Sequence, residues 1–183
     1  MKTVYIFLAE GFEEIEAITP LDLLRRVGID AKFVSIGKTL QVQGAHDILF
    51  IADILFDELP TTMADGIVLP GGMPGTLNLL DHKGLCTLIQ EYYNAQKYVC
   101  AICAAPLILG TLNLLAGKTA TIYPGMENKL TGAMPSVSPV CADGTIITSR
   151  GPGTAIPFAL KLVEIFAGKE VAERLTADIV YQK

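Results

Sequence analysis

The sequence has 183 residues, of which 51% are hydrophobic and 18% are charged, and its net charge at pH 7 is −5. A chain of this length and apolar content predicts a single domain over residues 1–183. Its 14 Lys and Arg residues form no basic stripe, which excludes nucleic acid as an expected partner because phosphate binding needs clustered positive charge.

Short β-rich runs alternate with helical patterns along the chain. Residues 3–9 form an uncharged, mostly apolar run that predicts a fully buried strand, and residues 13–27 then carry apolar side chains at helical spacing. Further strands are predicted at 31–36, 47–51, 66–70, 98–102, 119–123 and 144–149, and further helices at 81–95, 104–115, 152–167 and 169–175. This alternation predicts an α/β fold, a doubly wound and mostly parallel sheet with helices on both faces.

The location of the protein is predicted from its apolar runs and its cysteines. The first run reaches Glu10 too soon for a signal peptide and lacks a cleavage site of small residues. Residues 98–117 lack charge over a length that can span a bilayer, but a buried strand and a buried helix give the same pattern. Four cysteines are too few for a disulfide framework. We therefore expect a cytoplasmic protein with no membrane partner.

Four unusual segments follow predicted strands. Ligands of open parallel sheets bind beyond the carboxyl ends of the strands. The segments that this rule brings to one rim are 10–16, 70–75, 103–106 and 149–154.

Cys103 is the most informative residue at this rim. It follows the strand predicted at 98–102 and precedes a helix, and Pro106 suits the first turn of that helix. Small neighbours permit a sharp turn that exposes a nucleophile. A helix N-terminus there would favour the thiolate and lower the pKa of the cysteine. A buried structural cysteine is the alternative, and a disulfide with Cys100 is disfavoured because extended residues hold the two Cα atoms about 10 Å apart.

Two glycines and three carboxylates are further candidates for the site. The N–H groups of Gly71 and Gly72 can form an oxyanion hole, although an ordinary tight turn explains the pair as well. Acidic side chains at residues 13, 14 and 16 suit the start of a helix. These residues alone do not single out Glu16. Only two histidines, His46 and His82, are present, so no metal site built on histidines is expected.

Five spaced motifs identify the family that the chain resembles. They are residues 11–16 (GFEEIE), 21–26 (LDLLRR), 68–72 (VLPGG), 101–106 (AICAAP) and 148–154 (TSRGPGT). In this order they resemble the ThiJ/PfpI superfamily, and within it the branch of the human parkinsonism-associated deglycase and its bacterial homologues. The resemblance covers essentially the whole chain and implies a flavodoxin-like fold and a homodimer.

The resemblance also implies roles for individual residues. Cys103 matches the nucleophilic or oxidisable cysteine of the family. Glu16 matches its protonated glutamate, which donates a hydrogen bond to the sulfur. Gly72 and Ala104 match the positions whose backbone N–H groups bind the substrate oxyanion.

Three further positions are candidates for the pocket or the dimer interface. His46 falls where relatives have an arginine near that interface, and Arg150 lies in the last of the five motifs. Tyr123 stands where several relatives have a histidine. The absence of that base makes a cysteine peptidase or amidase the least favoured function.

The leading hypothesis is a glyoxalase or deglycase without cofactor. Cys103 would attack a 2-oxoaldehyde or its adduct, Glu16 would move protons, and neither glutathione nor a metal would take part. The alternative is a redox sensor or stress chaperone that works by oxidation of Cys103.

Overall fold

Strands and helices alternate in the computed structural model, which describes residues 2–182. The strands are β1 (Thr3–Leu8), β2 (Asp30–Ser35), β3 (Gln41–Gln43), β4 (Leu49–Ile51), β5 (Ile54–Leu55), β6 (Gly66–Leu69), β7 (Tyr98–Ile102), β8 (Thr119–Ala120), β9 (Met134–Pro135), β10 (Val140–Asp143) and β11 (Ile146–Ser149). The helices are α1 (Glu14–Arg26), α2 (Gly75–Asp81), α3 (Lys83–Asn94), α4 (Pro106–Thr111), α5 (Ala155–Ala167) and α6 (Lys169–Asp178).

Seven strands form one sheet in the order β10-β11-β7-β6-β1-β2-β5. Every pairing in it is parallel except that of β10 with β11. The predicted mostly parallel α/β sheet is therefore confirmed. Because β1, β6 and β7 are neighbours that run in one direction, the loops after them meet at the same edge.

Helices cover both faces of the sheet, as predicted. Along β1, alternate side chains point to opposite faces, so that Ile6 packs with α1 and α5 while Phe7 packs with α3 and α4. Both residues are fully buried. The near-continuous apolar character of the central strands follows from this two-sided burial.

Several predicted boundaries are wrong. Asp81 ends α2 and does not begin the next helix, because the ring of His82 accepts the N–H of Leu85 at 2.9 Å and caps α3. Residues 104–115 form only the short α4, and of residues 119–123 only the first two are paired in a strand.

Two small pairings lie outside the main sheet. The strand predicted at 47–51 shortens to β4, which pairs antiparallel with β3 in a separate hairpin. β8 and β9 form a second separate pair. Within residues 2–182, no helix is long and apolar enough to cross a membrane.

Candidate active site

The loops that follow β1, β6, β7 and β11 meet at one edge of the sheet. The carbonyl of Gly71 accepts the N–H of Glu13 at 2.9 Å, which joins the loop after β6 to the start of α1. The N–H of Cys103 donates to the carbonyl of Ser149 at 2.9 Å, which joins the loop after β7 to the end of β11. The convergence expected from the strand order is therefore confirmed.

Cys103 occupies a sharp turn between β7 and α4. Its φ of 63° lies in the left-handed region, which residues other than glycine rarely adopt. Such strain is retained mostly where function requires it. The predicted strand-to-helix turn is confirmed, but the predicted place at the helix N-terminus is wrong, since α4 begins only at Pro106. The side chain is nearly buried, with 9% of its surface exposed.

Two backbone N–H groups, those of Ala104 and Gly72, lie near the sulfur of Cys103, and both lower the pKa of the thiol. Gly72 has a φ of 88°, and a Cβ there would lie 2.5 Å from the backbone nitrogen of Glu13. Only glycine therefore fits this position, which brings the N–H to the sulfur.

Glu16 lies beside Cys103 and is fully buried. The N–H of Gly71 donates to its Oε2 at 2.8 Å, whereas its Oε1 has no hydrogen-bond partner of good geometry among residues 2–182. Burial raises the pKa of Glu16 to about 7, against the lowering effects of the Cys103 thiol and the Gly71 N–H. This carboxyl therefore gains and loses its proton near neutral pH.

The thiol and the carboxyl titrate as a pair. Burial, followed by the charge of Glu16 and its hydrogen bond, raises the pKa of Cys103 to about 12, and the N–H groups do not offset this. The expected lowering of the cysteine pKa by a helix terminus is therefore wrong. Between pH 7 and 12 the pair holds one proton between sulfur and carboxylate.

Gly71 serves the site in a different way from that predicted. Its N–H is engaged by Glu16 and is not available as an oxyanion donor. A Cβ at this position would lie 2.7 Å from both Cys103 Cβ and Glu16 Oε2. The missing side chain allows the cysteine and the glutamate to approach each other.

Tyr123 reaches the same site through its backbone and its ring. Its N–H donates to the carbonyl of Cys103 at 2.8 Å. Its ring lies against Gly151, a neighbour of Cys103, and 48% of the residue is exposed. The structure thus places Tyr123 at the edge of the site.

Arg150 lies near this edge but serves a loop. Its Nη1 donates to the carbonyl of Val137 at 2.9 Å, and its backbone N–H donates to Thr154 Oγ1 at 3.2 Å. Neither contact reaches Cys103 or Glu16. Arg150 therefore holds the segment between β9 and β10 against the end of β11.

His46 binds the start of α1 and not the cysteine. Its Nδ1 lies 2.7 Å from Glu14 Oε2, and its backbone N–H donates to Glu14 Oε1 at 2.6 Å. These contacts lower the pKa of Glu14 against the effect of burial and raise the pKa of His46. The pairing lies within one chain and joins the hairpin of β3 and β4 to α1.

One cluster of side chains has the spacing of metal ligands. Single ligand atoms of Glu13, Glu14 and His46 lie within 4.8 Å of one another. Both carboxylates are already engaged, because Glu13 Oε2 accepts the N–H of Glu16 at 2.8 Å and Glu14 accepts two bonds from His46. The start of a helix is also an unfavourable place for a cation.

The helix-start role expected for the acidic residue 13 is confirmed, whereas Gly151 was given no role by sequence reasoning. Glu13 caps α1 through the N–H of Glu16 and thereby fixes the first turn that carries Glu16. Gly151 borders the space next to the sulfur. The glutamate three residues before Glu16 was a usable signal, because N-cap side chains accept from that position.

Comparisons with known proteins agree on one family. The model of the DJ-1/PfpI family matches residues 2–165. DJ-1 homolog A of Arabidopsis thaliana is 41% identical over 98% of this chain, and the chain spans 46% of that protein's length. The glutathione-independent glyoxalase DJ-1 of Schizosaccharomyces pombe is 31% identical over 93% of this chain and 94% of its own length. The structure of oxidized DJ-1 from Toxoplasma gondii superimposes over the whole of both chains, with a TM-score of 0.96 at 34% identity.

Proposed function

This chain belongs to the DJ-1/PfpI family, and from that premise we propose that it converts 2-oxoaldehydes such as methylglyoxal into 2-hydroxy acids without glutathione. The observation that carries the proposal is the Cys103–Glu16 pair, which holds one proton near neutral pH. A nucleophile and an acid in contact are what the first step needs. The name of the S. pombe relative supports the same reaction.

The first step forms a hemithioacetal. Glu16, a carboxylate above its pKa of about 7, takes the proton of the Cys103 thiol. The sulfur attacks the aldehyde carbon, so that an S–C bond forms and the carbonyl π electrons move to oxygen. Glu16 then passes the proton to that oxygen and is again a carboxylate. The N–H groups of Gly72 and Ala104, which lie near the sulfur and lower the pKa of the thiol, stabilise charge on the oxygen.

The second step moves hydrogen between the two carbons. Glu16 takes the proton from the former aldehyde carbon and returns a proton to the neighbouring carbon, by way of an enediol. The hydroxyl proton on the first carbon passes to the oxygen of the second. The first carbon thereby becomes a thioester and the second becomes an alcohol. A base with a pKa near the working pH is suited to both transfers.

The third step releases the product. Water attacks the thioester, the S–C bond breaks, and the hydroxy acid leaves with Cys103 restored. One carbon is oxidised and its neighbour is reduced within the same molecule. The reaction therefore balances without an external oxidant or reductant.

The direct test is product formation by the purified protein. With methylglyoxal and no glutathione, we expect lactate to accumulate, measured by proton NMR. We expect no lactate from Cys103→Ala. Cys141→Ala serves as the matched control, because it also removes a buried cysteine, in this case from β10. Absence of lactate with the unaltered protein would overturn the proposal.

A second function, redox sensing by Cys103, is favoured by Oε1 of Glu16, which is buried and has no hydrogen-bond partner of good geometry among the described residues 2–182. When protonated, that oxygen can donate to an oxygen on an oxidised sulfur, and the two N–H groups can donate as well. Peroxide titration followed by intact mass distinguishes this function. Addition of two oxygens to Cys103 at low peroxide excess, with no lactate from methylglyoxal, would favour the sensor.

We also propose that the chain forms a homodimer in the cytoplasm. Large apolar side chains are exposed on α1 and on the adjoining hairpin of β3 and β4; they are Ile15, Ile18, Ile48, Leu49 and Ile51, between 46% and 69% exposed. We call this set the apolar face. Exposed patches of this kind mark association surfaces. Sedimentation velocity measures the mass, and a monomer at micromolar concentration would contradict the dimer.

A further inference from the structure

The ring of Tyr123 and the sulfur of Cys103 border one small space. A Cβ placed on Gly151 would lie 3.4 Å from Cδ2 and 3.7 Å from Cε2 of the ring, and 4.0 Å from the sulfur. One point therefore lies in van der Waals contact with the ring and beside the nucleophile. The space exists because residue 151 has no side chain.

Several groups already lie around the sulfur. Glu16 and the N–H groups of Gly72 and Ala104 are close enough to it to shift the pKa of the thiol. An aldehyde carbon bonded to sulfur, with its oxygen held by these donors, must direct its remaining substituent elsewhere. On the side of Gly151, the half-exposed ring of Tyr123 borders the sulfur.

The backbone that carries the ring is held at the site, and the residue lies outside the core. The N–H of Tyr123 donates to the carbonyl of Cys103 at 2.8 Å, and 48% of the residue is exposed. An accessible aromatic ring beside a reactive atom is suited to contact with a ligand, since aromatic side chains offer a large apolar surface with few rotatable bonds.

We propose that Tyr123 is the specificity-determining residue of the site and that its ring contacts the substituent of the 2-oxoaldehyde, favouring aromatic substituents over methyl. This inference rests on the proposed function for its substrate class. Contact between two aromatic rings contributes a preference of about 3- to 10-fold beyond surface burial. The chemical class favoured is therefore the aryl glyoxals.

The test compares kcat/KM for phenylglyoxal and methylglyoxal, expressed as their ratio. Replacement of the ring by Tyr123→Ala is expected to lower the ratio about 3- to 10-fold, and Tyr123→Phe is expected to keep it because the ring remains. Gly151→Ala is expected to lower the ratio as well, because its methyl group fills the space. The backbone at Gly151 is extended, with φ of 164°, so alanine fits there. An unchanged ratio in Tyr123→Ala would overturn the inference.

A second measurement does not depend on turnover. 2-Bromoacetophenone and bromoacetone alkylate a thiol by the same displacement, in which an S–C bond forms, the C–Br bond breaks and bromide leaves. Intact mass gives the rate for each reagent, with Cys103→Ala as the background. We expect the aryl reagent to be favoured, and Tyr123→Ala to reduce that preference while Tyr123→Phe retains it.

The two measurements distinguish failure of the proposed reaction from failure of the role of Tyr123. If methylglyoxal is not turned over but the preference for the aryl reagent holds, only the proposed reaction fails. If lactate forms but neither ratio changes in Tyr123→Ala, only the role of Tyr123 fails.

Discussion

Burial of the Glu16 carboxyl should make the stability of the protein depend on pH. The folded-state pKa of about 7 exceeds the ordinary value of 4.5. Between these values the folded protein binds a proton that the unfolded chain has released. The free energy of unfolding therefore falls as the pH rises from 4.5 to 7, and the loss is complete above that range. The gap in pKa corresponds to about 3 kcal/mol.

Glu16→Gln isolates this contribution. Glutamine has the same shape and stays neutral, and its amide oxygen can accept the N–H of Gly71 as Oε2 does. The other titrating groups contribute equally to the free energy of unfolding of both proteins. Their contributions therefore cancel when one free energy is subtracted from the other. We expect the free energy of unfolding of Glu16→Gln, relative to that of the unaltered protein, to increase by about 3 kcal/mol between pH 4 and pH 8.

Urea unfolding under reducing conditions gives the required free energies. The chain has no tryptophan, so helical circular dichroism is the suitable signal. Thr87→Ala, on the exposed surface of α3, is a control that should show the pH dependence of the unaltered protein. A difference between Glu16→Gln and the unaltered protein that stays constant to within about 1 kcal/mol would refute the assignment of a neutral-pH titration to Glu16.

Three further outcomes follow from contacts of the site and of the surface. Gly71→Ala should lower lactate formation about 100-fold by separating the nucleophile from the carboxyl, whereas Gly153→Ala, with open space around its Cβ, should leave it unchanged; equal rates for the two variants would contradict the role of Gly71. Ile51→Asp, on the 69% exposed side chain of the apolar face, should weaken dimerisation at least about 10-fold in sedimentation velocity, and an unaltered dimer would move the interface elsewhere. In an NMR titration the ring of His46 should show a pKa above its ordinary 6.5 and return to it in Glu14→Gln; equal values in both proteins would show that the pair does not form in solution.

The position of Cys103 could be predicted from the sequence because local rules are sufficient for it. An apolar strand, small residues and a proline define a turn between β7 and α4 without reference to distant residues. The pKa of the same cysteine could not be predicted in this way. It depends on burial and on Glu16, and both result from packing between segments far apart in the chain.

Glu16 and Gly71 show the same limit. Glu16 is one of three carboxylates at the start of α1, and all three suit a helix N-terminus. Its buried place depends on the glycine at residue 71, where any Cβ would meet its carboxylate. For this reason the glycine pair could be predicted to serve the site, but not the partner of the Gly71 N–H. That group binds Glu16 and not a substrate oxyanion.

The short pieces of structure were predicted least well. The predicted boundary at Asp81 is wrong because a histidine side chain, and not an aspartate, caps α3. The hairpin of β3 and β4 has only three residues in each strand, which is too short for alternation to be recognised. Its tie to α1 is the contact between His46 and Glu14, which no local pattern predicts.

The pH dependence of lactate formation tests the working form of the Cys103–Glu16 pair most directly. That form holds one proton and appears as the first proton leaves, with a pKa of about 7. After subtraction of the Cys103→Ala background, we expect kcat/KM for methylglyoxal to rise to a plateau with a midpoint near that pH, and Glu16→Gln to lose both the activity and the midpoint. A rate that is independent of pH across this range, or a Glu16→Gln variant with the unaltered profile, would contradict the pairing of thiol and carboxyl as the catalytic unit.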